Sequence, residues 1–191
     1  MTYNKFWKQY EKDIIIHNNK MNIIESCVDR HANNSKTANK TAFVFEDEKI
    51  TKFTYKELQK EVNKFANLLN DLKIKQNSRV FLFLPKVPEL YISFLGIIKQ
   101  GSIALPLFEA FQEQGLELRL EKGDADVLIT NKELSERIPK NIKEKVPSLK
   151  NIIIIDSEEY KTQINKQSTE FKTVLKQRPD TVLKNQGKGL L

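Results

Sequence analysis

Val80-Phe-Leu-Phe-Leu84 is apolar at every position, so a strand formed there must be covered on both faces. A strand with one wet face would alternate apolar and polar side chains, and this run does not. Shorter apolar runs follow at Ile103-Ala-Leu-Pro-Leu107, Val127-Leu-Ile-Thr130 and Ile152-Ile-Ile-Ile155. Helical patterns separate them. Pro88 suits the first turn of a helix that should run to Gln100 and close at Gly101. Leu116 to Lys122 reads as a brief helix stopped by Gly123, and Lys132 to Ile138 as another. This alternation predicts an α/β fold: an open, mostly parallel sheet, built from right-handed crossovers and flanked by helices.

Upstream, Asn22 to Ala32 reads as an amphipathic helix. Asn22 is a good N-cap, Glu25 is placed to complete a capping box, and Ile23, Ile24, Cys27, Val28 and His31 share one stripe. Thr41 to Phe45 and Ile50 to Phe53 read as two strands joined by a polar turn. The clearest helix then starts at Thr54, with Glu57 as the capping-box partner. Leu58, Val62, Phe65, Ala66, Leu69 and Leu72 recur along it at three- and four-residue steps, which predicts one buried face. Beyond Asp156 the text is polar and basic. Tyr160 to Lys166 suits a short helix, and Ser168 to Leu191 offers little to a core. The organisation expected is an N-terminal arm over 1–21, anchored by Phe6, Trp7 and Tyr10, a domain over 22–183, and a frayed tail over 184–191.

Composition narrows the function. One cysteine, Cys27, excludes an intrachain disulfide and a cysteine-based metal site, which fits a cytoplasmic location. Cys27 lies on the apolar stripe and is expected to be an unreactive core thiol. With only His17 and His31, a zinc site is not expected. No run approaches the ~20 apolar residues that span a bilayer, and the first residues lack a secretory signal pattern, so no membrane partner is expected. The net charge of +7 is spread over scattered lysines without an aromatic-basic platform, so no nucleic-acid partner is expected either. A dinucleotide-binding oxidoreductase would need Gly-x-Gly-x-x-Gly after a strand, and Leu84-Pro-Lys-Val-Pro88 stands there instead.

The ordered series Thr54-Tyr-Lys-Glu-Leu58, Val80 to Pro85 with Pro88-Glu89, and Gly101 to Pro106 resembles the N-terminal subdomain of the AMP-forming acyl-CoA synthetases, or adenylate-forming ligases. Asp29-Arg30-His31 and Pro106-Leu-Phe-Glu-Ala-Phe111 look like the acetyl-CoA synthetase branch. The resemblance spans roughly Asn22 to Leu183. It implies a chemistry in which ATP and magnesium activate acetate as an acyl-adenylate with loss of pyrophosphate, and coenzyme A then displaces AMP to form a thioester. The first step brings a carboxylate to a triphosphate, so charge neutralisation governs it, and the family meets that need with a Ser/Thr-Gly-rich loop ending Pro-Lys-Gly. Here the text after Asp180 reads Thr-Val-Leu-Lys-Asn-Gln-Gly-Lys-Gly-Leu-Leu, and Gly187-Lys188-Gly189 is its only echo of such a loop. The expectation is therefore a ligase N-terminal portion that is catalytically incompetent alone and binds none of these cofactors firmly. The alternatives are a non-catalytic module that binds coenzyme A or a nucleotide, and a subunit that complements a ligase body. An unpartnered subdomain face would also favour self-association.

By the same resemblance, Phe108, Glu109, Ala110 and Phe111 line the approach of the coenzyme A nucleotide. They follow a strand's carboxyl end, the ligand side of open α/β sheets. Plain packing of both phenylalanines at the sheet edge is the favoured reading of the two. His31 suits helix packing with a hydrogen-bond partner better than a ligand role. Glu57, Glu61, Asp71 and Glu89 read as helix caps or surface, and Arg119 as a solvent charge on a helix with Glu117, Glu121 and Lys122.

Overall fold

The computed structural model describes residues 12–47 and 49–177. The expected tail over 184–191, with Gly187-Lys188-Gly189, lies outside the described residues, as do the arm's Phe6, Trp7 and Tyr10.

In chain order, β1 (Lys20–Met21) leads into a π-helical turn (Glu25–Asp29) continued by α1 (Arg30–Ala32). The antiparallel hairpin β2 (Thr41–Glu46) and β3 (Ile50–Thr54) feeds α2 (Tyr55–Asp71). Then come β4 (Arg79–Phe83), α3 (Pro88–Gln100), β5 (Ile103–Pro106), α4 (Glu113–Lys122) and β6 (Val127–Thr130). The chain continues with α5 (Lys132–Ser135), α6 (Ile142–Lys145), β7 (Asn151–Ile154), α7 (Glu158–Asn165) and β8 (Lys176–Gln177). Strands β4 to β7 form one parallel sheet in the order β5-β4-β6-β7, the expected architecture.

The apolar run in β4 serves both faces by its two-residue period. Val80, Leu82 and Leu84 pack with Phe65, Leu68, Leu69, Ile97 and Tyr160 from α2, α3 and α7. Phe81 and Phe83 pack with Leu116, Leu120, Leu134 and Ile142 from α4, α5 and α6. The result is three layers, with helices above and below the sheet. Helix α2 begins as its sequence requires: the Thr54 hydroxyl accepts from Glu57 N at 3.2 Å, and Glu57 Oε2 accepts from Thr54 N at 2.8 Å. The Thr54 N–H, with the hydroxyl that also donates to Glu57 Oε2 at 2.9 Å, holds the Glu57 carboxyl below its ordinary pKa.

Three local expectations differ from the structure. The helix at Asn22 contains a π turn, whose wider winding shifts the phase of every later side chain. Ile24, Ser26 and Val28 face the core, while Ile23 and Cys27 turn outward. Cys27 is therefore no core residue, although burial around its sulfur, ahead of the neighbouring Asp29 carboxylate, still raises the thiol pKa. Second, the apolar run Ile103–Leu107 suits a buried strand, but β5 lies at the sheet edge with none of its residues buried and Ile103 48% exposed. Third, the helix begun at Lys132 stops at Ser135 and is followed by the separate turn of α6.

The ends of the described chain meet. Lys20–Met21 pair antiparallel with Lys176–Gln177, so residues assigned by sequence to the arm and to a coreless segment lie side by side.

Candidate functional site at the carboxyl ends of the strands

Crossovers leave this sheet in two directions. The segment after β4 runs to α3 on one face, whereas those after β5 and β6 run to α4 and α5 on the other. The carboxyl end of β4 is thus where the connections part, the usual position for a ligand crevice in an open α/β sheet. It is bordered by Leu84 to Val87, by Thr130 and Asn131, and by the loop that follows β5.

That loop contains the four candidates, Phe108 to Phe111. Leu107 N donates to Leu82 O at 2.8 Å, which carries the ladder one residue past β5. The chain then turns, with Phe111 N donating to Phe108 O at 3.2 Å. The two rings meet edge to face, with centroids 5.9 Å apart at 88°. Two arginines hold the turn. The Arg119 guanidinium lies 3.6 Å over the Phe111 ring, while its Nη1 donates to Gly115 O at 2.9 Å. Arg137 Nη1 donates to Glu109 O at 2.8 Å. Phe111 is partly buried in the core behind the sheet, and Phe108 stands 65% exposed.

The packing reading therefore describes Phe111, and the exposed Phe108 ring is the member of the group free to meet a ligand. A fixed turn that holds an aromatic ring open leaves a face on which a planar heteroaromatic group can stack. Sequence reasoning missed Arg119 and Arg137 here. Arg119 gave no periodic signal, because Phe111 lies before the extended Gln112 that precedes α4 and helical spacing does not relate the two. Arg137 had none, because its acceptor is a main-chain carbonyl.

An open cleft of about 430 Å³ lies between the hairpin and the start of α3, lined by Phe45, Lys49, Thr51, Val87 and Glu89 among others. A second, of about 310 Å³ and mostly aliphatic, lies at the opposite end of the sheet between Ile23, Ile98, Ile103 and Lys176. Among the described residues no group of three or more His, Cys, Asp and Glu is placed to hold a metal, and no helix is long and apolar enough to cross a membrane. His31 packs 4.7 Å from the Tyr55 ring, and its Nε2 accepts from Arg30 Nε at 3.2 Å, as a packing histidine would.

The polar centre that sequence reading missed is buried between the first helix and α3. Lys99, 1% exposed, places its ammonium 2.6 Å from Asp29 Oδ1. Gln59 Nε2 donates to the same oxygen at 2.8 Å, and Thr173 Oγ1 donates to Asp29 Oδ2 at 2.9 Å. Asp29 of the Asp-Arg-His signature is therefore a structural anion that ties four segments together.

Comparison with known proteins agrees with this architecture. The AMP-binding enzyme family matches residues 29–186. The chain is 41% identical over 141 residues to the acetyl-coenzyme A synthetase of Bacillus subtilis (strain 168), covering 73% of this chain and 24% of that one. It is 35% identical over 147 residues to the acetyl-coenzyme A synthetase of Methanothrix thermoacetophila, covering 71% of this chain and 22% of that one. Among solved structures, the anthranilate CoA ligase AuaEII in complex with anthranoyl-AMP superposes with a TM-score of 0.73 at 25% identity, over 86% of this chain and 31% of its own. The Brucella canis acyl-CoA synthetase has the same fold, with a TM-score of 0.72 at 24% identity. The chain thus spans about a quarter of the length of the curated relatives it matches. With its parallel sheet and a family match over most of its length, the chain belongs to the AMP-binding enzyme family.

Proposed function

We propose that this chain is the N-terminal portion of an acetate–CoA ligase, working on acetate, ATP with magnesium, and coenzyme A in the cytoplasm. In the whole reaction an acetate oxygen attacks the α-phosphorus of ATP and pyrophosphate leaves. The coenzyme A sulfur then attacks the acyl carbon, and AMP leaves with the electron pair of the broken C–O bond. The domain would run over 22–183, with the arm before it and the tail after it. The observation that carries this reading is the 41% identity to an acetyl-coenzyme A synthetase.

On this reading the chain contributes scaffold and part of the coenzyme A path. Phe108 would offer its ring to the adenine, with Glu109, Ala110 and Phe111 shaping the wall. Adenylation would fall to residues that this sequence does not supply, since nothing in it reads as a Ser/Thr-Gly-rich phosphate loop. Acetate-dependent ATP–pyrophosphate exchange by the purified 191-residue chain should stay at background, and turnover above it would overturn this part.

A second reading, a non-catalytic coenzyme A-binding module or a subunit that complements a ligase body, is favoured by the Phe108 ring held open on a fixed turn. Titration with coenzyme A, AMP and ATP separates the two. Saturable coenzyme A binding that Phe108→Ala weakens about tenfold supports the module, and no binding leaves the scaffold alone. Exposed Val44, Ile50, Ile103 and Phe108 supply apolar surface for self-association.

A further inference from the structure

Ser168 to Gln177 crosses back over α2 and α3, and side-chain amides gripping main-chain carbonyls hold much of it. Asn67 Nδ2 donates to Ser168 O at 2.8 Å and to Glu170 O at 2.9 Å, and Asn63 Nδ2 donates to Thr169 O at 2.7 Å. Asn22 Nδ2 donates to Val174 O at 2.8 Å and to Ile98 O at 2.8 Å, joining the segment to the end of α3. Val174 N donates to Lys99 O at 3.0 Å, and Lys176 Nζ reaches Gln76 Oε1 and Asn77 Oδ1, each at 3.0 Å. Gly101 makes room: its φ is +88°, and a Cβ there would stand 2.8 Å from Val174 Cγ1 and from Lys176 Cε.

The segment's own side chains add little to the fold. None of residues 168–177 is buried, and none belongs to the three apolar clusters that hold the helices to the sheet. An element with polar attachments and few buried apolar contacts opens more readily than the core beneath it. Its seat is different in kind. Asn63 and Lys99 are buried on α2 and α3, and Asn22 is buried just before the first helix, where its Oδ1 accepts from Ile24 N at 3.1 Å, so the donors are attached to elements that the apolar clusters hold.

We propose that Ser168–Gln177 is a releasable strap that lifts as a unit while the sheet stays folded. The seat recognises extended main chain through its carbonyls, with Asn22, Asn63 and Asn67 as the donors and with little regard to the side chains the strand carries. Closure covers the Lys99–Asp29 pair through Thr173 and brings Lys176–Gln177 against β1. Opening frees the link between this domain and whatever is joined after Gln177. The strap therefore controls how firmly the domain holds the chain that follows it.

Hydrogen exchange measured by mass spectrometry on the full chain tests this. Amides of Glu170 and Val174 should exchange together, at least tenfold faster than those of Val80–Leu84 and Val127–Thr130. Asn67→Ala should speed the strap about tenfold further and leave the sheet unchanged. Thr173→Val, which removes only the hydroxyl donor to Asp29, should do the same to a smaller degree. Strap and sheet accelerating together in both variants would overturn the proposal, as would strap amides that exchange at the free-peptide rate in the unaltered chain. Strap protection that rises with protein concentration would also overturn it, because the seat would then be filled by a second copy.

Discussion

Replacing Asp29 by Asn should cost far more than its surface-polar composition suggests, and more than replacing its partner. Lys99 is 1% exposed and its ammonium has one carboxylate within reach, 2.6 Å away. In Asp29→Asn the ammonium stays in the same place with no anion to balance it. Breaking a buried pair in this way costs about 3–5 kcal/mol, a large part of the ~5–15 kcal/mol that holds a domain together. Lys99→Met is gentler. The Asp29 side chain remains 13% exposed and keeps its donors from Gln59 and Thr173, so the loss should be about 1–3 kcal/mol. The double variant Asp29→Asn with Lys99→Met should recover most of the difference, because an apolar chain then fills the space without an unpaired charge.

Urea unfolding, followed by far-ultraviolet circular dichroism, reads these values directly. With a slope of about 2 kcal/mol per molar, Asp29→Asn should lower the midpoint by about 1.5–2.5 M and Lys99→Met by about 0.5–1.5 M. A midpoint for Asp29→Asn within 0.5 M of the parent (about 1 kcal/mol on the same slope) would show that Lys99 does not depend on Asp29 for its charge balance. So would a greater loss in Lys99→Met than in Asp29→Asn, since of the two charges only Asp29 can still reach water.

Gly96→Ala should destabilise by about 1–3 kcal/mol, because the new Cβ would sit 2.9 Å from Phe65 Cδ1 and 3.2 Å from the Val62 carbonyl, wedging α3 away from α2; thermal unfolding of the variant checks it. Tyr160→Phe should flatten the alkaline limb of stability. Burial, ahead of Glu89 and Glu61, raises the Tyr160 phenol far above its ordinary value of 10.0. Its contribution is therefore complete below that value and drains away as pH climbs towards the folded pKa, so the parent should lose stability from pH 10 upward more steeply than the variant in urea titrations.

What could be read from the sequence was what depends on neighbours in the chain. The two-faced apolar run at Val80–Leu84 demanded cover on both sides, and the structure supplies α2 and α3 on one and α4 to α6 on the other. Thr54 and Glu57 marked the start of α2 because a capping box is closed within four residues. Lys99 could not be read in the same way: it stands in an apolar helix, and its counter-charge lies 70 residues earlier in the chain. The strap was hidden for a different reason. Donors such as Asn63 and Asn67 accept any main chain, so the segment they bind needs no distinctive composition. At the candidate site, Phe108 to Phe111 could be located from the strand before them, but which ring is free depended on Arg119, which covers Phe111 and leaves Phe108 open.

Pro106 did carry a message about the sheet, one that follows from the pairing. Ile103 N donates to Ser78 O and Leu107 N to Leu82 O, so odd-numbered residues of β5 point their backbone groups at β4. Ala104 and Pro106 therefore face outward. Proline has no N–H, so a strand approaching this edge meets a donor at Ala104 and none at Pro106. The edge is blunted at the point where the chain turns into the Phe108 loop, and the loop is kept from being drawn into a ladder with another chain. Any self-association on this side would have to use the Ile103 and Phe108 side chains, whose apolar surface is exposed, rather than the backbone. A charged residue at 103 should then weaken such association while leaving the parallel sheet intact, whereas Pro106→Ala, which restores the missing donor, should strengthen it.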